Sequence, residues 1–269
     1  NPEDIPTAFL PQPRLISWKA PAGTDVFGLY SPPSNPDYFC RGLPPAIISI
    51  HGGPTVPVPR AFHVETACFT SRGYAWLDVC YRGSWGLGRS FMQKLDHLWG
   101  VVDVEDAAGA ALALVDQKLA DPERLILRGS SAGGFTVLNA LAQFPGRFKA
   151  GVCLYGVSNL FTLAEKTHKF EAHYHERLVG VLPKDVLLYT KRSPEFQAAR
   201  IRDPLLLFHG REDRVVPIEQ TERIIAALKK SGTPCIFKAY EDEGHGFRKT
   251  ETQEDVLTLT QQFLQKYVL

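Results

Sequence analysis

Short apolar runs bounded by turn residues recur along this chain, and stretches with apolar positions at helical spacing fall between them. AIISI (46–50), YAWLDV (74–79), RLILRG (124–129), AGVCLY (150–155), PLLLFHG (204–210) and CIFKAY (235–240) read as buried strands. Residues 61–72, 101–117, 132–143, 219–230 and 252–267 read as helices. In 101–117, Val101, Val104, Ala108, Ala111 and Val115 share one face, and acids open the segment where the helix dipole favours them. Strands alternating with helices imply parallel pairing, because parallel neighbours need a crossover element. Near-continuous apolar strands imply cover on both faces. The pattern predicts an α/β fold with a mostly parallel central sheet and helices on both faces.

Two regions depart from that rhythm. Residues 1–13 contain Pro2, Pro6, Pro11 and Pro13 and should run extended over a surface. Residues 14–30 read as a hairpin, and SPPSNPDYF with RGLPP as an irregular surface loop. Residues 1–45 are therefore expected to form an extended or hinge segment and a hairpin packed on a main domain of residues 46–269. The second departure is 157–200, aromatic, basic and histidine-rich, with no clear strand. An insertion beside a site and a plain surface excursion both fit it.

Composition narrows the function classes. Thirty basic and 29 acidic residues give a net charge of +1, so no long-range field attracts nucleic acid or an anionic membrane, and neither is expected as a partner. No apolar run approaches the roughly 18 to 20 residues that span a bilayer, and the proline-rich start does not read as a signal peptide. Cys40, Cys68, Cys80, Cys153 and Cys235 are scattered and odd in number, with no CxxC pair. That spacing argues against a disulfide framework or a zinc site, and favours a reducing, cytoplasmic setting.

Gly129-Ser130-Ser131-Ala132-Gly133-Gly134 carries the first chemistry. It fits G-x-S-x-G around Ser131, between a strand and the helix FTVLNALAQF. A serine on such a tight turn is strained and exposes its hydroxyl; flanking glycines are needed because side chains there would collide with neighbouring elements. A phosphate loop would need a lysine where Phe135 stands. Ser130 lacks glycines at both minus two and plus two, so it reads as structural.

An acyl-transfer serine needs donors for an oxyanion. The amide after the nucleophile is that of Ala132. His51-Gly52-Gly53-Pro54 follows AIISI and suits the second donor, with Gly53 the candidate amide. The chain order nucleophile, acid, base then leads to Asp213 in HGREDRVVP and His245 in EDEGHGF, each after a strand. Asp213 would fix the imidazole tautomer, and His245 would take and return the serine proton. Glu212 is the neighbouring rival acid. His209 lies inside a strand run and reads as a core or sheet-end residue. His168, His173 and His175 are spaced by five and two, which does not suit a zinc helix face, so no metal is expected; two-step acyl transfer on a serine needs no cofactor.

HGGP (51–54), YRGSWGLGRSF (81–91), WGVVDVEDA (99–107), DPERLILRGSSAGG (121–134), HGREDRVVP (209–217) and EGHGF (243–247) together resemble the prolyl oligopeptidase family of serine peptidases. The dipeptidyl aminopeptidase and acylaminoacyl peptidase branch is the most similar. The resemblance covers about 200 residues in the family's order, and departs at Ser130, where many members carry glycine. It implies the α/β-hydrolase fold, short peptides as substrates, Ser131, Asp213 and His245 as catalytic residues, and the amides of Gly53 and Ala132 as the oxyanion hole. It further implies that Val157, Leu160, Leu163 and Val216 shape an apolar pocket for the P1 side chain; the rival reading makes them core. Arg82 with Asp103 is expected as a buried supporting pair. Family members usually carry an N-terminal β-propeller, for which this chain has no region of sufficient length, and a homo-oligomer stays open. A carboxylesterase of the same fold and an inactive interaction module remain the alternatives.

Overall fold

The computed structural model describes residues 5–21, 23–39, 41–166 and 174–269. Its strands are β1 (Arg14–Lys19), β2 (Asp25–Ser31), β3 (Ala46–Ile50), β4 (Ala75–Cys80), β5 (Leu125–Ser130), β6 (Ala150–Leu154), β7 (Leu205–Gly210) and β8 (Cys235–Tyr240). They form one sheet in the order β1-β2-β4-β3-β5-β6-β7-β8. The pairs from β4 through β8 are parallel, and β1–β2 and β2–β4 are antiparallel. The expected hairpin is thus part of the sheet: its second strand runs against β4, with Phe27 opposite Cys80 and Ser31 opposite Trp76.

The helices are α1 (Val64–Thr70), α2 (Arg89–Met92), α3 (Val102–Asp116), α4 (Ala132–Gln143), α5 (Leu160–Lys166), α6 (Tyr174–Leu178), α7 (Val186–Arg192), α8 (Glu219–Ser231) and α9 (Thr250–Tyr267). Alternation along the strands sorts the core into two layers. Ile48, Ile50, Leu77, Leu127 and Leu207 face one way, with residues of α3, α4 and α8. Ile47, Trp76, Ile126, Val152 and Phe208 face the other, against Phe69 of α1 and Val256, Phe263 and Leu264 of α9. β3, β6 and β7 are buried along their whole length, which is why their sequences read as unbroken apolar runs. Among the described residues no helix is long and apolar enough to cross a membrane.

Two expectations change. The helix expected over 61–72 begins only at Val64, because His63 is extended (φ −130°) and offers no side-chain cap. Where described, the 157–200 segment is mostly short helices joined by turns, and it packs on the core and the loop after β3. Leu160 and Leu163 of α5 join the core, and the Tyr174 hydroxyl lies 2.8 Å from Thr55 Oγ1, just after the HGGP loop. Asp96–Arg177 (2.8 Å) and the bond from His97 N to Arg177 O tie α6 to the segment before α3. His168 and His173 lie outside the described residues.

Candidate active site

Ser131 links β5 to α4 and holds φ 53°, ψ −121°, a conformation costly for any residue with a Cβ. Close packing enforces it. A Cβ on Gly133 would lie 2.8 Å from the His51 carbonyl oxygen and inside the Ile50 carbonyl oxygen, so only glycine lets α4 start this near β3. The amide of Ser131 donates to Leu154 O (3.0 Å), and its carbonyl accepts from Phe135 N (3.1 Å). The turn is thereby held between β6 and the first turn of α4.

The three residues from separate strand ends meet here. His245 Nε2 lies 2.8 Å from Ser131 Oγ, and His245 Nδ1 lies 2.8 Å from Asp213 Oδ2. Asp213 Oδ1 accepts from the amides of Val215 (2.9 Å) and Val216 (2.8 Å). Its side chain has no exposure, whereas that of His245 is 21 % exposed. Burial pushes the Asp213 carboxyl up, but hydrogen bonds from His209 and His245, the His245 charge and the Val216 amide outweigh it and hold the group at about 2. The group is an anion across the neutral range and suits stabilisation of an imidazolium. Glu212, the rival, is exposed and uses only its amide, which donates to Glu243 O (2.9 Å).

The loop carrying His245 is pinned from within. The buried Glu243 carboxylate accepts from the amides of Arg248 (3.0 Å) and Lys249 (2.9 Å). Tyr155 (φ 38°) sets its ring edge-on to His245, with centroids 5.0 Å apart, and packs against Phe247 at 5.2 Å.

On the other side stands the HGGP loop. Gly53 has φ +114°, where glycine is favoured, and a Cβ on Gly52 would meet Ser130 O at 3.1 Å and Ser131 Cβ at 3.4 Å. Ala132 follows the serine as the first residue of α4 and is buried. The Tyr81 hydroxyl donates to Pro54 O (2.6 Å) and His51 O (3.3 Å), bridging the loop. The His51 ring stacks on Tyr81 with centroids 4.2 Å apart, and its Nε2 lies 2.7 Å from Ser84 Oγ. Burial, opposed by the Gly52 carbonyl, pushes the His51 imidazole down to about 4.

Val157, Leu160, Leu163 and Val216 are all buried in the larger core layer. Two of them touch the site: Val157 N approaches Ser131 O (3.4 Å), and Val216 N binds Asp213. A cavity of about 770 Å³ lies elsewhere, between Leu10–Leu15 and residues 58–63, and reaches His51, Gly52 and Ser130. The Arg82 expectation is corrected. Arg82 pairs with Asp106 (2.8 Å) and Glu105 (2.8 Å), not with Asp103. Asp103, in the first turn of α3, turns to Gly100 N (2.6 Å) and the Thr136 hydroxyl (2.6 Å). Asp106, nearly one turn later, faces Arg82. Sequence reasoning gave no role to Tyr81, Tyr155 or Glu243; the signal for Tyr81 and Glu243 was their place in the segments YRGSWGLGRSF and EGHGF. Among the described residues no cluster of three or more His, Cys, Asp or Glu could hold a metal.

The sequence profile of the prolyl oligopeptidase family matches residues 60–269. Dipeptidyl aminopeptidase BIII of Pseudoxanthomonas mexicana is 30% identical over 225 residues, which are 82% of this chain and 33% of that protein. The acylamino-acid-releasing enzyme of Arabidopsis thaliana is 29% identical over 215 residues, 77% of this chain and 28% of that protein. Among solved structures, a Mycobacterium tuberculosis puromycin-hydrolyzing peptidase superposes with a TM-score of 0.95 at 42% identity, over 98% of this chain and 41% of that one. The chain thus spans about a third of the length of the curated relatives it matches.

Proposed function

Because this chain belongs to the prolyl oligopeptidase family of serine peptidases, we propose that it is the hydrolase unit of a peptidase cleaving short peptides through an acyl-enzyme on Ser131. The observation that carries the reading is the continuous relay from Asp213 through His245 to Ser131, at 2.8 Å for each contact, on a strained turn. Ser131 Oγ attacks the scissile carbonyl as His245 Nε2 takes its proton. The oxyanion rests on the amides of Gly53 and Ala132. Collapse breaks the C–N bond, and His245 returns the proton to the leaving amine. Water, deprotonated by His245, then releases the acyl group and restores the serine.

The P1 side chain is apolar in this reading. Support comes from Val157 and Val216, which stand beside the nucleophile and the acid. Dipeptidyl and acylaminoacyl peptidases among the relatives favour small peptide amides, and the puromycin-hydrolyzing relative adds an aminoacyl amide of an aminonucleoside. A β-propeller partner that narrows access accords with the extra length of the relatives.

The test compares kcat/KM on aminoacyl p-nitroanilides, puromycin and p-nitrophenyl esters, with fluorophosphonate labelling alongside. Amide cleavage and labelling that both vanish in Ser131→Ala are expected. Ester turnover with negligible amide cleavage would turn the assignment to a carboxylesterase. A Ser131 that resists the probe in native protein would leave only a hydrolase-fold module.

A further inference from the structure

One buried imidazole beside the relay has no part in that chemistry. His209 ends β7, is fully buried, and uses both ring nitrogens. Nδ1 lies 2.8 Å from Thr221 Oγ1 on α8. Nε2 lies 2.8 Å from Val216 O and 3.3 Å from Asp213 Oδ2. Both oxygens facing Nε2 are acceptors only, so that nitrogen carries a hydrogen; it is bonded to Val216 O, with Asp213 Oδ2 in charge contact beside it. The Thr221 hydroxyl can rotate to donate to Nδ1.

We infer that His209 is a positioning residue for Asp213, holding the carboxylate through Nε2–H so that its remaining lone pair points at His245. This rests on the triad reading above. Asp213 Oδ2 is bonded to His245 Nδ1, and His209 Nε2 stands 3.3 Å from the same oxygen on its other side. Oδ1 is fixed by Val215 N and Val216 N, and the carbonyl of Val216 accepts from the same His209 N–H. Carboxylate, Val216 and imidazole therefore close a small ring, which resists rotation of the acid about its own side chain. The ring also joins the acid to Val216, a wall of the candidate P1 pocket.

The other ionisable groups near the relay are accounted for. Tyr155 packs its ring on His245, and Glu243 is turned to the amides of Arg248 and Lys249. Arg211, Glu212 and Arg214, which flank Asp213, are exposed. None of them donates to Asp213 Oδ2 in place of His209. Loss of the His209 donor leaves more negative charge on Oδ2, which favours the imidazolium of His245. The acid limb of the serine's reactivity then moves to higher pH.

Two amide substitutions separate positioning from packing. In His209→Gln the side-chain amide reaches the depth of Nε2 and can still donate to Asp213. In His209→Asn it stops near Nδ1, keeping Thr221 in reach but abandoning the acid. The readout is the rate of fluorophosphonate labelling of Ser131 from pH 4 to 9, with thermal unfolding of each variant recorded. His209→Asn should move the acid limb up by about half a pH unit, a roughly threefold loss of rate on that limb. His209→Gln should keep the wild-type limb. Limbs that coincide in all three proteins, or move equally in both variants, overturn the inference even where rates fall uniformly. Wild-type protein that takes no label at any pH would instead overturn the triad reading.

Discussion

Asp103 provides a test of the fold's electrostatics. Its carboxyl is fully buried and bonded to Gly100 N (2.6 Å) and the Thr136 hydroxyl (2.6 Å). Burial raises it, and these two donors only partly offset that, so the group moves from 3.8 to about 6. Between those values the folded chain holds a proton that the unfolded chain releases. Stability from this group is therefore full below about pH 4, falls as pH rises toward 6, and is level above. A carboxyl moved this far costs the folded state about 3 kcal/mol at neutral pH. Asp103→Asn removes the titration and keeps the shape: its oxygen can accept from Gly100 N, and its amide can donate to Thr136 Oγ1. The Thr136 hydroxyl then turns to Ala132 O, now 3.3 Å away. Urea unfolding of both proteins from pH 4 to 7.5 gives the difference in stability. That difference should swing by about 2.5 kcal/mol in favour of the variant between pH 4 and 7. Any change in hydrogen bonding adds a constant and leaves the slope alone. A difference flat across this range would refute the reasoning.

Two further outcomes follow from the packing around the site. Gly133→Ala should cost at least about 2 kcal/mol and abolish labelling of Ser131, because its Cβ meets backbone of β3 that cannot yield. Gly146→Ala, at φ +80° with open space around it, should cost only about 1 kcal/mol from backbone strain and keep full labelling; equal losses in both unfolding experiments would contradict this. Arg82→Met should destabilise by about 3–5 kcal/mol, since it strands the Asp106 carboxylate with no exposure. Adding Asp106→Asn should recover most of that in a double-mutant cycle, and purely additive losses would show that the pair is not coupled.

Where the sequence was legible, local chemistry and long-range geometry demanded the same residues. The turn around Ser131 is the clear case. It needs glycine at both minus two and plus two of the serine, and the alternation of strands places it at the carboxyl ends of the strands, where Asp213 and His245 also end up. Arg82 is the contrary case. Asp103, Glu105 and Asp106 are all within one turn of α3, and spacing alone does not say which faces Arg82. The claim of Gly100 N and Thr136 on Asp103 decides it, together with the Arg82 amide, which donates to Asp106 Oδ2 (2.7 Å). The helices within 157–200 escaped for another reason. α5, α6 and α7 are five to seven residues long, too short for a helical period to repeat and show itself.

The first turn of α8 carries this lesson to the site itself. In sequence, Glu219–Lys230 is an amphipathic helix whose glutamine and threonine belong to its polar side. In the fold, Gln220 and Thr221 are both buried. Gln220 Oε1 accepts from the amides of Ser158 (2.7 Å) and Asn159 (2.9 Å), and its carbonyl accepts from Ser158 Oγ (2.9 Å). Thr221 meets His209, which in turn reaches Asp213 and Val216. Adjacent residues of one helix thus brace the segment after β6, where Val157 stands beside Ser131, and the loop after β7, which holds the acid. Buried polar side chains of this kind cannot be recognised from hydropathy, because their desolvation is offset by partners that are distant in sequence. The groups that react are legible from their turns; the groups that aim them become legible only when the chain has closed around them.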